Sequence, residues 1–200
     1  MELYIHHAAS PTVRKVLMTM AQLDLKPTLR PVDWTHGGAQ KPEYLKLNPG
    51  GKFPTLVDKG FVLWESNAIL VYLAEKTVRL MPTDIHGRAD VLRWLFWEAA
   101  HFGPAALNLT NATMSRKHFA PEEALAQLTK AFRHEAGLLD DHLHKRQFIL
   151  DKTLTIADFA LASNLIYARQ AGLPMTDLHS LSGWLARMSA LPAWQDTEPK

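Results

Sequence analysis

The chain has 200 residues, 47% of them hydrophobic, and its 22 Lys+Arg and 20 Asp+Glu give a formal net charge of +2. That length allows one or two domains with a substantial core, and scattered basic residues on a nearly neutral chain do not indicate a nucleic-acid-binding surface. Cysteine is absent, which excludes disulfides, thiolate metal sites and a thiol nucleophile of the protein's own.

Residues 1–80 mix the hydrophobic periods of strands and helices. The predicted elements, in chain order, are a strand at 3–5, a helix at 13–21, a strand at 28–32, strands at 56–57 and 61–63, and a helix at 68–73. A three-residue hairpin loop at 58–60 places Gly60 where a positive φ is favoured. The order β-α-β, then β-β-α, predicts an α/β domain.

Beyond Arg88 the chain has no convincing strand pattern, so we predict helices. Their ranges are 88–115, 121–145, 155–171 and 178–190. The stretch 81–87 contains Pro and Gly and has the composition of a linker. The predicted fold is therefore an α/β domain at 1–80, a linker at 81–87 and an all-α domain at 88–200.

The helix predicted from Thr155 has a well-marked start. Thr155 and Asp158 have the spacing of a capping box, with Asp in place of the usual Glu, and Leu154 and Phe159 have the spacing of a hydrophobic staple. Loss of such a cap typically costs about 0.5–2 kcal/mol. This motif therefore indicates folding stability, not chemistry.

The ten histidines do not have the spacing of metal ligands. Adjacent His6 and His7 on a strand point to opposite faces, and His142 and His144 diverge on a helix. His134 begins no HExxH motif. We therefore expect no metal.

Pro54 lies inside the strand-like alternation that starts at Phe53, where a strand ladder needs an N–H group. A cis Phe53-Pro54 bond in a tight turn would direct the Phe53 N–H and C=O outward, open to pair with a ligand's backbone. Lys52 could then meet a carboxylate. The alternative is a trans Pro54 that begins an ordinary edge strand, with Lys52 solvated.

Glu65 and Ser66 lie between the last predicted strand and the following helix. We predict Ser66 as the N-cap, whose hydroxyl and the free N–H groups of the first turn form an anion site. Glu65 beside it can hold an ammonium, so the pair suits the zwitterionic end of an amino acid. The alternative is a plain serine cap beside a solvated glutamate.

Ser10 and Pro11 have the pattern of an N-cap followed by proline at the first helical position. A hydroxyl at a helix N-terminus can also donate to a thiolate, whose charge the helix dipole favours. In a chain without cysteine, that thiol would have to arrive with a ligand. Capping and thiol activation are compatible at this position.

Three motifs together resemble those of the cytosolic glutathione transferases: GKFPTL at 51–56, ESNAI at 65–69 and LTIAD at 154–158. The resemblance covers essentially the whole chain. It implies a thioredoxin-like domain that binds glutathione as cosubstrate, and a helical domain that carries the second-substrate pocket and much of a dimer interface. A homodimer is therefore expected.

The resemblance also implies roles for individual residues. The Phe53 backbone, before a cis Pro54, would pair with the cysteinyl unit of glutathione. Lys52 would meet the glycyl carboxylate. Glu65 and Ser66 would hold the γ-glutamyl end.

Ser10 falls where the serine-type classes, theta and delta, place the hydroxyl that activates the thiol. Thr12 is an alternative two positions on. The lack of a cysteine near Ser10 argues against the beta and omega classes. The stretch 97–104 resembles the corresponding helix of bacterial nu-type relatives.

The second substrate is expected against the first long helix of the helical domain. The residues expected to line its pocket are Trp97, His101, Phe102, Asn108 and Met114. Aromatic and methionine side chains suit flat, apolar electrophiles. The alternative is that each residue belongs to the core or to the subunit interface.

We therefore expect a detoxifying transferase that directs the thiol of glutathione at a hydrophobic electrophile or a peroxide. With a peroxide as substrate, the enzyme would have glutathione peroxidase activity. No apolar run approaches the roughly 18 residues of a membrane span, which predicts a soluble, cytoplasmic protein. No nucleic-acid or membrane partner is expected. The alternative is a non-catalytic ligand-binding or regulatory protein of the same fold.

Overall fold

The computed structural model describes residues 1–114 and 121–198. They form two compact units, one from Met1–Met81 with the C-terminal residues from Leu191, the other from Pro82–Ala190. The sequence placed those C-terminal residues, of which 199–200 lie outside the described part, in the helical domain. Within the first unit, Arg14 donates to the Trp194 carbonyl at 3.2 Å.

The first unit is built on a four-stranded mixed sheet. Its strands are β1 (Glu2–Ile5), β2 (Thr28–Pro31), β3 (Thr55–Asp58) and β4 (Phe61–Trp64), in the spatial order β2-β1-β3-β4. β1 and β2 are parallel, whereas β3 is antiparallel to both β1 and β4. The predicted order of strands and helices is confirmed.

Two longer helices in this unit, α1 (Pro11–Gln22) and α3 (Ser66–Thr77), carry much of its core. Fully buried apolar side chains on them are Val13, Val16, Met18, Ile69, Leu70 and Leu73. The sequence missed three short elements, which are a 3-10 turn (Gly38–Gln40), α2 (Pro42–Leu45) and, near the C-terminus, α9 (Pro192–Gln195). Elements of this length are too short to show a helical period.

The hairpin between β3 and β4 is tighter than predicted. Asp58 pairs with Phe61, so the loop has two residues, Lys59 and Gly60, instead of three. Their φ angles are +51° and +86°, the left-handed conformations of a type I′ turn. The predicted positive φ at Gly60 is confirmed.

The second unit is helical, as predicted. Its helices are α4 (Ile85–Trp97), α5 (Gly103–Met114), α6 (Glu122–Leu143), α7 (Ile156–Ala162) and α8 (His179–Ser189). A π-helical turn (Glu98–Phe102) joins α4 to α5, and a 3-10 turn (Ser163–Leu165) follows α7. Among the described residues of this unit, the largest fully buried side chains are Trp184, Phe102, Phe132 and Phe159.

α4 begins inside the predicted linker 81–87. Asp84 caps this helix, because its side chain accepts the Gly87 N–H at 2.9 Å. The helix therefore starts at Ile85, three residues before the predicted position. Position 115, where that helix was predicted to end, lies outside the described residues.

α7 is shorter than the predicted helix at 155–171. Ser163 Oγ and Asn164 Nδ2 donate to the Ala160 carbonyl at 2.9 and 3.0 Å. Side chains that bond to the preceding turn compete with the backbone ladder. The chain accordingly passes into a 3-10 turn and then into further turns.

The capping box at Thr155 is confirmed. The Asp158 carboxylate accepts from the Thr155 and Ile149 N–H groups and from Trp184 Nε1, each at 2.9 Å. Complete burial nevertheless raises the pKa of Asp158 to about 6. This carboxylate therefore links the start of α7 to Trp184 of α8 and to Ile149 in the loop before α7.

Candidate active site

The sheet topology brings the predicted site segments to one edge. Because β3 is antiparallel to β1 and β4, the end of β1, the start of β3 and the end of β4 lie in one cross-strand row. Segments 6–12, 52–54 and 65–66 continue from that row. Pieces far apart in the sequence therefore meet at the same sheet edge.

The loop before β3 is held firmly by the protein. Its Phe53-Pro54 peptide bond is cis, as predicted. The Lys52 carbonyl accepts from the Tyr44 hydroxyl at 2.5 Å and from Asn48 Nδ2 at 2.9 Å. Lys52 has an exposed side chain, whereas Phe53 is half-buried. The backbone is thus fixed while the lysine remains accessible to a ligand.

The two candidate hydroxyls lie at the start of α1. Ser10 is the N-cap and Pro11 the first helical residue, as predicted, although the Ser10 hydroxyl makes no capping bond. Ser10 Oγ lies 3.1 Å from Thr12 Oγ1, which donates to the Phe53 carbonyl at 3.2 Å. The positive end of a helix favours a thiolate at this place.

The start of α3 differs from the prediction. Glu65, not Ser66, is the N-cap, and Ser66 is the first helical residue. Glu65 has φ +70° and ψ 112°, a conformation that L-residues rarely adopt and that recurs at functional sites. Its side chain is exposed and makes no capping bond. The N–H groups of the first turn remain a site for an anion.

An aromatic cluster that the sequence did not predict surrounds Phe53. The Phe53 ring centroid lies 4.9 Å from that of His6 and 5.0 Å from that of Tyr44, and Trp34 lies edge-on to His6 at 5.9 Å. Burial, with repulsion from His7, lowers the pKa of His6 to about 4, so His6 is neutral near pH 7. The only sequence signal was the adjacent histidine pair.

Lys15 is a second residue that sequence reasoning missed. It lies on the buried face of α1, 2% exposed, and donates to Asn67 Oδ1 at 3.0 Å. Asn67 is the second residue of α3, so the ammonium adds positive charge near the N-terminus of that helix. A lysine inside the apolar spacing of α1 was the available signal.

Phe102 is a core residue and does not line a pocket. It is fully buried in the second unit, where its ring stacks on Trp97 at 5.4 Å and lies 6.5 Å from Phe132. A ligand could reach it only by displacing these neighbours. The other residues predicted for the pocket are accessible: Trp97 is half-buried, and His101, Asn108 and Met114 are exposed.

Within residues 1–114 and 121–198, no group of three or more His, Asp or Glu side chains is arranged to hold a metal ion. The absence of a metal remains a prediction. In the same part of the chain, no helix is both long enough and apolar enough to cross a membrane.

Two family models match the chain. The model of the glutathione S-transferase N-terminal domain matches residues 9–76, and that of the C-terminal domain matches residues 122–195. The first match contains all the site segments from Ser10 to Ser66. The second contains the capping box of α7.

Curated relatives extend this likeness to the full length. The chain is 30% identical over 212 residues to glutathione S-transferase F9 of Arabidopsis thaliana, covering 100% of this chain and 97% of the relative. It is 28% identical over 191 residues to glutathione S-transferase D7 of Drosophila melanogaster, covering 93% and 84%.

Solved structures share the fold. Glutathione transferase URE2P6 from Phanerochaete chrysosporium, in complex with oxidized glutathione, has a TM-score of 0.88 at 26% identity, covering 98% of this chain and 93% of that one. A Burkholderia graminis glutathione transferase with two bound glutathione molecules per subunit has a TM-score of 0.88 at 25% identity, covering 98% and 86%. The chain therefore belongs to the glutathione S-transferase family.

Proposed function

We propose that this protein is a serine-type glutathione transferase that activates the thiol of bound glutathione for attack on a hydrophobic electrophile or a peroxide. The observation that carries the proposal is the hydrogen-bonded link from the hydroxyls at the start of α1 to the Phe53 carbonyl. A ligand whose backbone pairs with Phe53 would lie beside a hydroxyl at a helix N-terminus. Family membership, and the glutathione bound in two solved relatives, support the same ligand.

Charges at the sheet edge suit the two ends of glutathione. Lys52 is exposed and can meet the glycyl carboxylate. The γ-glutamyl end carries both an ammonium and a carboxylate. Glu65 would hold the ammonium, and Ser66 with the first N–H groups of α3 would hold the carboxylate.

Ser10 would stabilise the thiolate before attack. An unperturbed thiol has a pKa of ≈ 8.5, and a hydroxyl donor at a helix N-terminus lowers it. The nucleophile belongs to the cosubstrate, so the protein supplies mainly position and charge stabilisation. Trp97, His101, Asn108 and Met114 remain the residues proposed for the second substrate.

A homodimer is proposed because the edge strand β4 presents apolar side chains. Phe61 is 51% exposed and Trp64 is 42% exposed. Exposed aromatic residues on an unpaired sheet edge favour association. A second copy of this chain would cover them.

A cytoplasmic location and a detoxifying role are proposed together with the transferase activity.

Calorimetric titration with glutathione is the first test, followed by turnover of a chloronitroaromatic, an epoxide, an enal and a hydroperoxide. We expect binding, and turnover of at least one of these classes. Lys52→Ala should weaken glutathione binding about tenfold, the size of one charge-assisted bond. Lys59→Ala, at an exposed lysine of the hairpin turn, is the matched control.

The outcomes separate the two functional classes. Failure of the wild type to bind glutathione would overturn the proposal. Binding without turnover of any substrate class would identify a non-catalytic carrier or regulatory protein. Equal affinities of the two lysine variants would remove Lys52 from the site but leave the activity standing.

A further inference from the structure

Two hydroxyls and one carbonyl form a hydrogen-bonded chain at the start of α1. Thr12 Oγ1 lies 3.2 Å from the Phe53 carbonyl oxygen and 3.1 Å from Ser10 Oγ. A carbonyl can only accept, and a hydroxyl has a single proton, so the Thr12 proton is committed to Phe53. Ser10 must therefore be the donor in the bond between the two hydroxyls.

This polarity makes the two hydroxyls unequal. Ser10 makes no capping bond, so it can turn its proton from Thr12 to a thiolate. That exchange replaces a neutral hydrogen bond with a stronger, charge-assisted one. Thr12 could donate to a thiolate only by leaving the Phe53 carbonyl, to which it is joined across 41 positions of sequence.

The link also fixes the loop from a second side. The Tyr44 hydroxyl and the Asn48 amide hold the Lys52 carbonyl, whereas Thr12 holds the Phe53 carbonyl from α1. A carbonyl oxygen has two lone pairs. One lone pair of Phe53 can therefore serve Thr12 while the other accepts from a ligand N–H.

We propose that Thr12 is a positioning residue, which fixes the Phe53 carbonyl relative to the first turn of α1, and that Ser10 alone donates to the thiolate. The inference rests on the proposed function. Glutathione paired with Phe53 then presents its sulfur at a set distance from Ser10. Thr12 acts on glutathione through Phe53, and Ser10 acts on the sulfur directly.

Three variants test this division of roles. Thr12→Val removes the hydroxyl and keeps the branched shape, Thr12→Ser restores the hydroxyl, and Ser10→Ala removes the proposed thiolate donor. For each we would measure the glutathione Kd, kcat and KM, and the pKa of the bound thiol from the pH dependence of thiolate absorbance. Thermal unfolding of each variant checks that the fold is intact.

Thr12→Val should weaken glutathione binding about five- to tenfold, as expected for one lost hydrogen bond, and should raise the thiol pKa much less than Ser10→Ala does. Ser10→Ala should raise the thiol pKa and lower kcat, with Kd close to wild type. Thr12→Ser should stay within about twofold of wild type, because the hydroxyl can still reach Phe53.

Three results would overturn the assignment. They are a thiol pKa raised by Thr12→Val as much as by Ser10→Ala, a wild-type Kd in Thr12→Val, and no rescue by Thr12→Ser. Failure of the wild type to bind glutathione is a different outcome, since it removes the proposed function together with this inference before any variant is compared.

Discussion

The imidazole of His6 stacks on the phenyl ring of Phe53, with ring centroids 4.9 Å apart and planes inclined by 27°. In the described part of the chain, His6 Nδ1 is buried without a hydrogen-bond partner. Burial, with the charge of His7, lowers the pKa of His6 to about 4. Protonation of His6 would therefore place a poorly solvated charge against the residue proposed to bind glutathione.

We expect His6 to reduce stability in mild acid. Unfolded His6 binds a proton below a pKa of 6.5, whereas the folded ring stays neutral down to about pH 4. The unfolding free energy is thus undiminished above about pH 6.5 and falls as the pH drops from there to about 4. For a partly exposed ring, solvent screening limits the loss to roughly 1 kcal/mol.

Urea unfolding above and below this pH window measures the effect. His6→Phe keeps an aromatic ring on Phe53 but cannot titrate, so it should lose less stability in acid than the wild type. His134→Gln, at an exposed histidine of α6, controls for the loss of a histidine without changing the surroundings of His6. The same acid dependence in wild type and His6→Phe would contradict the prediction.

Glu65→Gly should separate stability from ligand binding. Glycine adopts the positive φ of Glu65 without the steric cost of a side chain, so the unfolding free energy should rise by about 1 kcal/mol. Glutathione affinity should fall roughly tenfold because the carboxylate is lost. Lys59→Gly, at φ +51° in the hairpin turn, should leave glutathione affinity unchanged. Unaltered affinity in Glu65→Gly would exclude the carboxylate from the site.

Asp158→Ala should strongly destabilise the second unit. The variant leaves the N–H groups of Thr155 and Ile149 and the indole of Trp184 without their acceptor. Several unsatisfied buried donors cost roughly 3–5 kcal/mol together. Thermal unfolding, compared with Asp141→Ala at an exposed position of α6, measures the loss. A change below about 1 kcal/mol would mean that these donors find other acceptors.

Phe102→Ala should behave as a core substitution. The Phe102 ring is fully buried and packs against Trp97 and Phe132. Its removal should lower the unfolding free energy by roughly 3–5 kcal/mol. His101→Ala, on the exposed side of the same π-helical turn, should leave stability nearly unchanged and raise KM for the electrophile. Chemical unfolding and turnover of both variants would check this. Unchanged stability in Phe102→Ala would return that residue to the proposed pocket.

The sequence predicted features that depend on neighbouring residues. The strand and helix order follows from hydrophobic period, the capping box from the spacing of Thr155 and Asp158, and the positive φ of Gly60 from turn chemistry. At Phe53-Pro54 the strand pattern left cis and trans open, and the resemblance of GKFPTL to the family motif implied the cis bond that the structure has. Each of these signals lies within a few residues of the structure it specifies.

Other features depend on which distant segments the sheet brings together. The register of β1 with β3 sets His6 beside Phe53 and brings Thr12 to the Phe53 carbonyl, and packing of α1 against α3 joins Lys15 to Asn67. By sequence alone, a chain without cysteine must obtain any thiol from a ligand, and the GKFPTL turn and the ESNAI helix start resemble the glutathione-binding motifs of the family. Only the tertiary structure decided which hydroxyl donates in the Ser10–Thr12 pair, because the direction of that hydrogen bond depends on the Phe53 carbonyl, 41 residues from Thr12.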